Sequence, residues 1–289
     1  MTIVTTPESV LPIALEAMQR TPDPRLREVI AALTRHLHAF VQEVGLTEGE
    51  FERALDFIVG IGQATNATKN EVVLTADVFG ISTVVALMNN RAPDGGDSPG
   101  ALLGPFWRAA APLCDDGASI VRSDTPGVPL AVTGCVCDAE SRPIEGATVD
   151  VWQASPVGLY ENQDPTQADM NLRGRFRTDS DGRFRLGSVR PAGYPVPTDG
   201  PCGELLRAQL RHPNRPAHLH FMISKPGYRV LISQVYADDD ENLESDPTFG
   251  VTRRLIGNYT PSAAGNSATL DYDFTLEVGE MKFPKPPIP

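Results

Sequence analysis

One stretch decides how this chain is interpreted: Arg215-Pro216-Ala217-His218-Leu219-His220-Phe221. The apolar residues that alternate with the histidines, continued by Ile223, indicate a β-strand, and Pro216 suits a strand only at its beginning. Side chains at positions i and i+2 of a strand point to the same face, so His218 and His220 can reach one metal ion without bending of the backbone. The pair is a weak signal by itself, because two histidines can also be hydrogen-bonded on a half-buried strand.

Short strands of the same kind surround this stretch over the C-terminal two thirds of the chain. Their β-branched runs alternate with turns rich in Gly, Pro and Asp, and Asp179-Ser180-Asp181-Gly182 has the composition of a hairpin turn. Many short strands at close spacing predict a sandwich or barrel, and we favour a mainly antiparallel β-sandwich. The predicted strands are Leu130–Cys137, Thr148–Gln153, Arg183–Val189, His218–Ile223, Val230–Tyr236 and Ala268–Leu276.

The first part of the chain, about 90 residues, follows a helical period instead. The second predicted helix carries apolar residues at 3.6-residue spacing from Leu26 to Val44 and is ended by Gly45. The last is expected to run as one helix through Ile81 to Met88. Each of the predicted helices begins at a residue that can cap it, namely Thr6, Asp23, Thr47 and Asn70.

A segment rich in Gly, Pro and Asp, Arg91–Gly100, has the composition of a linker. We therefore predict an α+β protein with a helical and linker domain at residues 1–100, followed by a β-sandwich domain at residues 101–289. The sandwich domain contains the His-x-His pair. The other closely spaced histidines, His36 and His38, fall on a predicted helix, where positions i and i+2 point apart, so they are not expected to form a second metal pair.

Composition excludes several classes of function. The formal net charge of −12 and the pI of about 4.9 repel phosphate backbones, so we expect no nucleic-acid partner. The N-terminus lacks the basic and apolar regions of a signal peptide, and no run approaches the ~18 apolar residues of a membrane span. These features predict a cytoplasmic protein without a membrane span.

The four cysteines show no metal-binding spacing. Cys114, Cys135, Cys137 and Cys202 are expected to be buried, reduced thiols, because disulfides are disfavoured in the cytoplasm. Cys135 and Cys137 lie two apart on a predicted strand, which places both side chains on one face.

Two tyrosines precede the His-x-His pair in the sandwich domain. Tyr160 follows Val151-Trp152-Gln153-Ala154-Ser155-Pro156-Val157-Gly158-Leu159, and Tyr194 lies in Pro191-Ala192-Gly193-Tyr194-Pro195-Val196-Pro197. A loop tyrosine usually serves packing. Together with Arg215 and the histidine pair, however, the order Tyr, Tyr, His-x-His strongly resembles the intradiol ring-cleaving dioxygenases over nearly the whole chain.

That resemblance implies a metal site with one Fe(3+) per chain, held by Tyr160, Tyr194, His218 and His220. The residue types suit this chemistry. Free tyrosine titrates near pH ~10 and ionises at neutral pH only beside strong positive charge, which a trivalent cation supplies. Anionic oxygen ligands favour ferric iron, whereas ferrous oxygenases use two histidines and one carboxylate.

The resemblance also implies roles for residues around the metal. Arg215 would lie beside the substrate and stabilise negative charge, Gln234 would lie near the iron, and Tyr194 would leave the metal to accept a substrate proton. The alternatives are a surface arginine and a glutamine that hydrogen-bonds within the sheet. The implied substrate pocket consists of Leu74, Asp77, Leu103, Gly104, Pro105, Phe106, Val196 and Pro197.

The implied activity is intradiol cleavage of a catechol-type diol by O2 in aromatic degradation. The segments Asp169–Gly174, Tyr194–Pro201 and Asp246–Val251 are most similar to family members that act on hydroxyquinol, giving 3-hydroxy-cis,cis-muconate or its tautomer maleylacetate. Catechol and chlorocatechol enzymes are the alternatives. A more distant one is a non-catalytic, transthyretin-like binding module, which Gly134–Val151 resembles.

The resemblance further implies a homodimer formed by the helical domain, with phospholipid at the dimer interface. The sequence leaves another explanation open, because the apolar helical faces would also be covered if they packed onto the sandwich of their own chain.

Overall fold

The computed structural model describes residues 3–90 and 100–288, so the predicted linker, residues 91–100, lies outside the described residues except for Gly100. The chain forms two compact units, Met1–Val59 and Gly60–Pro289. The domain boundary that we placed after residue 100 remains a prediction.

The first unit consists of α1 (Pro7–Met18), α2 (Pro24–Val44) and most of α3 (Glu48–Ala64). The Asp23 carboxylate accepts hydrogen bonds from the backbone N–H groups at the start of α2, and Gly45 ends this helix at φ 58°. Thr47 and Glu50 form the capping box of α3. The predicted helix boundaries are therefore confirmed where a capping residue defines them.

The apolar stripe of α2 is left largely uncovered within this unit. Each apolar side chain of this stripe has about half of its surface exposed, whereas Ala31 of the same helix is buried. The stripe consists of Leu26, Val29, Leu33, Leu37, Phe40, Val41 and Val44, and α3 exposes a second set at Phe51, Leu55, Ile58 and Val59.

The single helix predicted beyond Asn70 is wrong. The structure has α4 (Glu71–Val78) and α5 (Ile81–Asn89), which meet at 77°. The break occurs at Gly80, whose φ of 72° is the left-handed conformation that ends helices. Among the described residues no single helix is long and apolar enough to cross a membrane; α4 and α5 meet the length and composition test only as a bent pair.

The second unit also contains a β-sandwich and one short helix. Its remaining elements are β1 (Pro129–Asp138), β2 (Thr148–Trp152), β3 (Arg173–Arg177), β4 (Arg183–Val189), β5 (Tyr194–Pro195), α6 (Pro201–Ala208), β6 (Asn214–Arg215), β7 (His218–Ser224), β8 (Leu231–Ala237), β9 (Ile256–Gly257), β10 (Thr260–Pro261), β11 (Ala268–Asp271) and β12 (Phe274–Leu276), with a 3-10 turn at Arg253–Leu255.

Two five-stranded sheets form the layers. One has the order β10-β11-β1-β12 with β4 also paired to β1, and the other has the order β3-β2-β7-β8-β9. Most pairs are antiparallel, and β1 with β11, β1 with β12, and β8 with β9 are parallel. Apolar side chains of both sheets, such as Val132, Phe184, Val151 and Phe221, form one core. The predicted α+β fold is confirmed.

Strand β7 connects this core to the opposite face of its sheet. Leu219, Phe221 and Ile223 belong to the core between the sheets. The residues between them therefore point to the outer face, where Met222 joins a separate cluster of aromatic residues with Trp152. This alternation places His218 and His220 side by side on the outer face of the sheet.

The structure corrects three further expectations. The predicted strand Ala268–Leu276 is interrupted after Asp271 and forms β11 and β12. Helix α6, strand β3 and the two-residue strands β5, β6, β9 and β10 were not predicted. Of the cysteines, all free, Cys202 is buried, but Cys114, Cys135 and Cys137 are half-buried rather than buried.

Candidate metal centre

Four side chains converge on the outer face of β7. His218 and His220 come from this strand, Tyr194 from β5, and Tyr160 from the loop after β2, and all four are buried. The Tyr160 Oη lies 3.1 Å from the Tyr194 Oη, which lies 3.5 Å from the His218 Nε2. The Nε2 atoms of His218 and His220 are 3.1 Å apart. The predicted ligands thus present their donor atoms to one point.

The protonation of the histidines supports this arrangement. The His218 Nδ1 donates to the Pro216 carbonyl at 2.6 Å, because a carbonyl can only accept, and this leaves the lone pair on Nε2. The His220 ring stacks on Trp152 with centroids 4.8 Å apart, which fixes its orientation. Among the described residues its Nδ1 has no hydrogen-bond partner.

Burial makes all four groups neutral when no cation is near. It raises the pKa of Tyr160 well above its ordinary value and also raises the pKa of Tyr194. Burial, aided by the Arg215 charge, lowers the pKa of His218 to about 3, and burial lowers the pKa of His220 well below its usual range. Imidazoles with free lone pairs suit a metal, and buried phenols ionise only if a cation compensates their charge.

The spacing of these atoms fits a metal ion. Donors that lie about 2.0–2.2 Å from one ion are separated by roughly 3 Å or slightly more, and the observed separations are 3.1–3.5 Å. In the described part of the chain no group of three or more His, Cys, Asp and Glu side chains can hold a metal. A metal centre here therefore depends on the tyrosines, which makes it suitable for a hard, trivalent cation such as Fe(3+).

Arg215 lies beside the four donors and is held by its own buried partners. Its Nη1 is 3.2 Å from the His218 Nε2, and its Nε donates to the Asp246 carboxylate at 3.1 Å. Its Nη2 donates to the Gln234 Oε1 at 2.9 Å and to the Tyr236 Oη at 2.6 Å. The alternative of a surface arginine is thus wrong, because Arg215 is buried.

Asp246 is a functional candidate that the sequence did not reveal. Burial raises its pKa, but the Arg215 guanidinium outweighs this effect and holds the pKa below its ordinary value. The carboxylate also accepts from the backbone N–H groups of Thr248 and Gly250. The charged partner lies 31 positions away in the chain, so only the fold brings the pair together.

Gln234 connects Arg215, next to the four donors, to the segment that begins at Gly100. Its Nε2 donates to the Leu102 carbonyl at 2.7 Å, while its Oε1 accepts from Arg215 and from the Tyr236 hydroxyl. The side chain is buried, and both its amide nitrogen and its amide oxygen have hydrogen-bond partners. It orients Arg215, and its role near the iron remains a prediction.

The segment after Leu102 forms one wall beside the donors. Phe106 stacks on Tyr160 with centroids 4.6 Å apart, and Leu103 packs against the same aromatic cluster. Gly104 adopts φ 75°, and a Cβ there would lie 3.3 Å from the His220 Cε1, so glycine allows this close approach. Pro105 is buried next to it.

A second wall is formed by α4 and by the residues after β5. Leu74 and Val196 belong to one buried cluster, and Pro197 is half-buried beside it. Asp77 is 1% exposed, and its Oδ2 has no hydrogen-bond partner within the described residues. Asp77 does not share a helical face with Ile81, as the single predicted helix would require, because α4 ends at Val78 and Ile81 is exposed.

The pKa of Asp77 is affected both by burial and by the charge of Arg215. Burial raises the pKa of its carboxyl to about 7, although a hydrogen bond from Ser82 and the Arg215 charge act in the opposite direction. A buried carboxyl with one unpaired oxygen can accept a hydrogen bond from a ligand hydroxyl.

Glu71 is a further residue that the sequence did not single out. It is fully buried at the start of α4, and its Oε1 accepts from the Cys202 backbone N–H at 3.0 Å, while Lys69 Nζ lies 3.5 Å from its Oε2. The carboxylate thus caps α6 and connects it to the helix that carries Asp77.

The chain is similar to known proteins over most of its length. A family model described as "Dioxygenase" matches residues 102–278, and one described as "Catechol dioxygenase N terminus" matches residues 23–96. Among curated proteins, hydroxyquinol 1,2-dioxygenase of Rhizobium sp. strain MTP-10005 is 42% identical, with 84% of this chain and 82% of that protein covered. A 6-chlorohydroxyquinol 1,2-dioxygenase of Cupriavidus pinatubonensis is 40% identical, with 89% and 92% covered.

Solved structures show the same similarity. Hydroxyquinol 1,2-dioxygenase from Pseudomonas putida DLL-E4 matches with a TM-score of 0.85 and 38% identity, covering 94% of this chain and 99% of that one. Catechol 1,2-dioxygenase from Pseudomonas arvilla C-1 matches with a TM-score of 0.81 and 31% identity, covering 96% and 94%.

Proposed function

This chain belongs to the intradiol ring-cleaving dioxygenases, and from this membership we propose that it cleaves hydroxyquinol with O2 to 3-hydroxy-cis,cis-muconate. The family uses non-haem iron, and we propose one Fe(3+) per chain, bound by Tyr160, Tyr194, His218 and His220. The observation that carries the proposal is the convergence of these four donor atoms next to Arg215. The transthyretin-like binding module does not explain this convergence.

The residues around the proposed iron site have separate proposed roles in the reaction. Bound iron supplies Lewis-acid activation of the diol. The Tyr194 Oη, which lies between the Tyr160 Oη and the His218 Nε2, is the proposed acceptor of a substrate proton. Arg215 cannot lose its proton, and its fixed guanidinium stabilises negative charge that develops on the ring oxygens. Phe106 and Leu74 contribute the apolar walls that exclude water.

Asp77 is the proposed determinant of substrate choice. Hydroxyquinol differs from catechol by one ring hydroxyl, and an unpaired buried hydroxyl costs roughly 1–3 kcal/mol. The free Oδ2 of Asp77 can accept from it. The relatives named above that act on hydroxyquinol or its 6-chloro derivative support this substrate, and catechol and chlorocatechols are the alternatives.

We expect wild-type protein to prefer hydroxyquinol to catechol and 4-chlorocatechol, and Asp77→Ala to lower kcat/KM for hydroxyquinol by about tenfold or more, as ~1.4 kcal/mol predicts. Catechol turnover should fall much less, and iron content should not change. Asp77→Asn keeps an acceptor oxygen and serves as the matched control, which should retain most of the preference. Equal losses on both substrates would assign Asp77 to structure, and a wild-type preference for catechol would support the alternative substrate.

We also propose a homodimer in which the exposed apolar stripe of α2 is covered by the second subunit. Sedimentation should show one species near twice the 31.2 kDa chain mass, because so many half-exposed apolar side chains are costly in water. Leu33→Glu combined with Leu37→Glu should shift the species toward monomer. A wild-type monomer at micromolar concentration contradicts the proposal.

A phospholipid chain is the proposed occupant of an apolar groove of about 410 Å³ between α1 and α2, lined by residues such as Val10, Leu37 and Val41. Mass spectrometry of an organic extract of the purified protein should detect it, and an extract without phospholipid would contradict this proposal. The cytoplasmic location inferred from the sequence remains a prediction.

A further inference from the structure

A pair of thiols lies on the other sheet of the sandwich. Cys135 and Cys137 both belong to β1, and both are half-buried on the face that points away from the core. Their Sγ atoms are 3.3 Å apart. Neither residue takes part in the metal centre described above, whose donors belong to other segments.

The surroundings of the pair favour a cation. The Cys135 thiol donates to the Asp181 carbonyl at 3.4 Å, and its backbone N–H donates to the Asp273 carboxylate at 2.7 Å. A depression of about 500 Å³ opens beside Cys135 and is lined by Asp179, Asp271 and Asp273 as well as by Arg183 and Arg185. The Asp181 carbonyl is therefore an oxygen donor within reach of the Cys135 Sγ.

The distance between the two sulfur atoms is nearer to that of a chelate than to that of a disulfide. A disulfide requires about 2.05 Å between sulfur atoms, and the Cα atoms of residues two apart on a strand, roughly 6.6–6.8 Å, lie at the upper limit of disulfide geometry. Two thiolates that bind one ion at about 2.3 Å lie roughly 3.8 Å apart. The observed 3.3 Å needs only a small rotation of the side chains to reach the second arrangement.

The raised pKa of the Cys135 thiol also favours metal binding over oxidation to a disulfide. Burial, the neighbouring thiol and the Asp273 charge raise the pKa of Cys135 to about 12. Few thiolates are then present at neutral pH, which makes spontaneous oxidation slow. A soft cation, in contrast, deprotonates a coordinating thiol when it binds.

We propose that Cys135 and Cys137 form a two-thiolate site for a soft, thiophilic metal cation of the class of Cu(I), Zn²⁺ and Cd²⁺, with the Asp181 carbonyl as a third donor. Each thiol releases one proton when the cation binds, and no oxidant or reductant is required. Soft sulfur ligands select such cations over the hard ferric ion, so the two sites do not compete for the same metal.

The first test uses phenylarsine oxide on the iron-loaded protein, because trivalent arsenic needs two neighbouring thiols and does not bind a tyrosine–histidine site. Its oxo group leaves as water with the two thiol protons, and two As–S bonds form. Intact-mass spectrometry should show one adduct per chain. Cys135→Ser and Cys137→Ser should each abolish it, while Cys114→Ser, the matched control at an isolated half-buried thiol, should retain it.

The second test titrates the iron-loaded protein with Cd²⁺ and follows thiolate-to-cadmium charge-transfer absorbance. We expect one Cd²⁺ per chain, with affinity at least about tenfold lower in Cys135→Ser, because one thiolate loses the advantage of its neighbour. Three results would each overturn the proposal: no arsenic adduct on the folded wild type, an adduct that persists in Cys135→Ser, or arsenic binding without cadmium absorbance.

Discussion

We expect Tyr160→Phe and His220→Ala each to remove most of the bound iron, and with it the red to burgundy colour that tyrosinate-to-Fe(III) charge transfer should give the wild type. The physical reason is the small number of donors. The four donor residues are buried and held by packing, so we do not expect the remaining three to compensate for a lost ligand. Iron per chain, measured after purification of each variant, and the visible spectrum are the readouts.

The matched controls are histidines of the same chain that lie on α2. His36 is exposed and His38 is half-buried, and His36→Ala and His38→Ala should keep wild-type iron and turnover. Wild-type protein should contain about one iron per chain. Full iron content and turnover in Tyr160→Phe, or a colourless and fully active wild type that contains zinc or manganese, contradicts the ligand assignment.

Local sequence determined those elements whose boundaries are coded by single residues. Helix α2 begins and ends as predicted because Asp23 can cap it and Gly45 can adopt a left-handed conformation. Strand β7 follows from the alternation of Leu219 and Phe221 with the histidines. In these cases the signal lies within a few positions of the element, so no knowledge of distant residues is needed.

Other elements depend on partners that are distant in the chain. Strand β3 reads as polar, yet Arg173 is buried because it forms an ion pair with Glu161 and donates to the Phe106 carbonyl. A pattern of apolar residues cannot reveal such a strand. The break between α4 and α5 was missed for a related reason, since a lone Gly80 is tolerated in many helices and the fold decides its conformation.

The residues of the candidate site also fall into those that the sequence predicted and those that only the structure identified. The two histidines and two tyrosines could be named from the sequence because their order resembles a family pattern. Asp246 and Tyr236 could not, because their importance comes only from contact with Arg215. The ligands are thus visible in local motifs, whereas the groups that orient Arg215 become visible only after folding.

Those orienting groups make Arg215 the position with the second large expected effect. Arg215→Lys should lower kcat/KM for hydroxyquinol by about 100-fold, with iron retained. Lysine keeps the charge but lacks the planar guanidinium group with its five N–H donors. It therefore cannot bind Asp246, Gln234 and Tyr236 and at the same time direct an N–H group toward His218 and the proposed metal site. Loss of one preorganised donor to developing negative charge typically costs about 10²–10³ in rate.

Because Arg215 also contacts His218, turnover must be expressed per bound iron, which separates a catalytic role from loss of the metal. Asp246→Asn leaves Arg215 in place but removes the charge that fixes it, so it should lower kcat less than Arg215→Lys does. Arg185→Lys, at an exposed ion pair with Asp116, is the matched control and should have no effect. If the loss in Arg215→Lys disappears after normalisation to iron, Arg215 supports the ligands rather than the reaction, and the charge-stabilising role proposed for it is wrong.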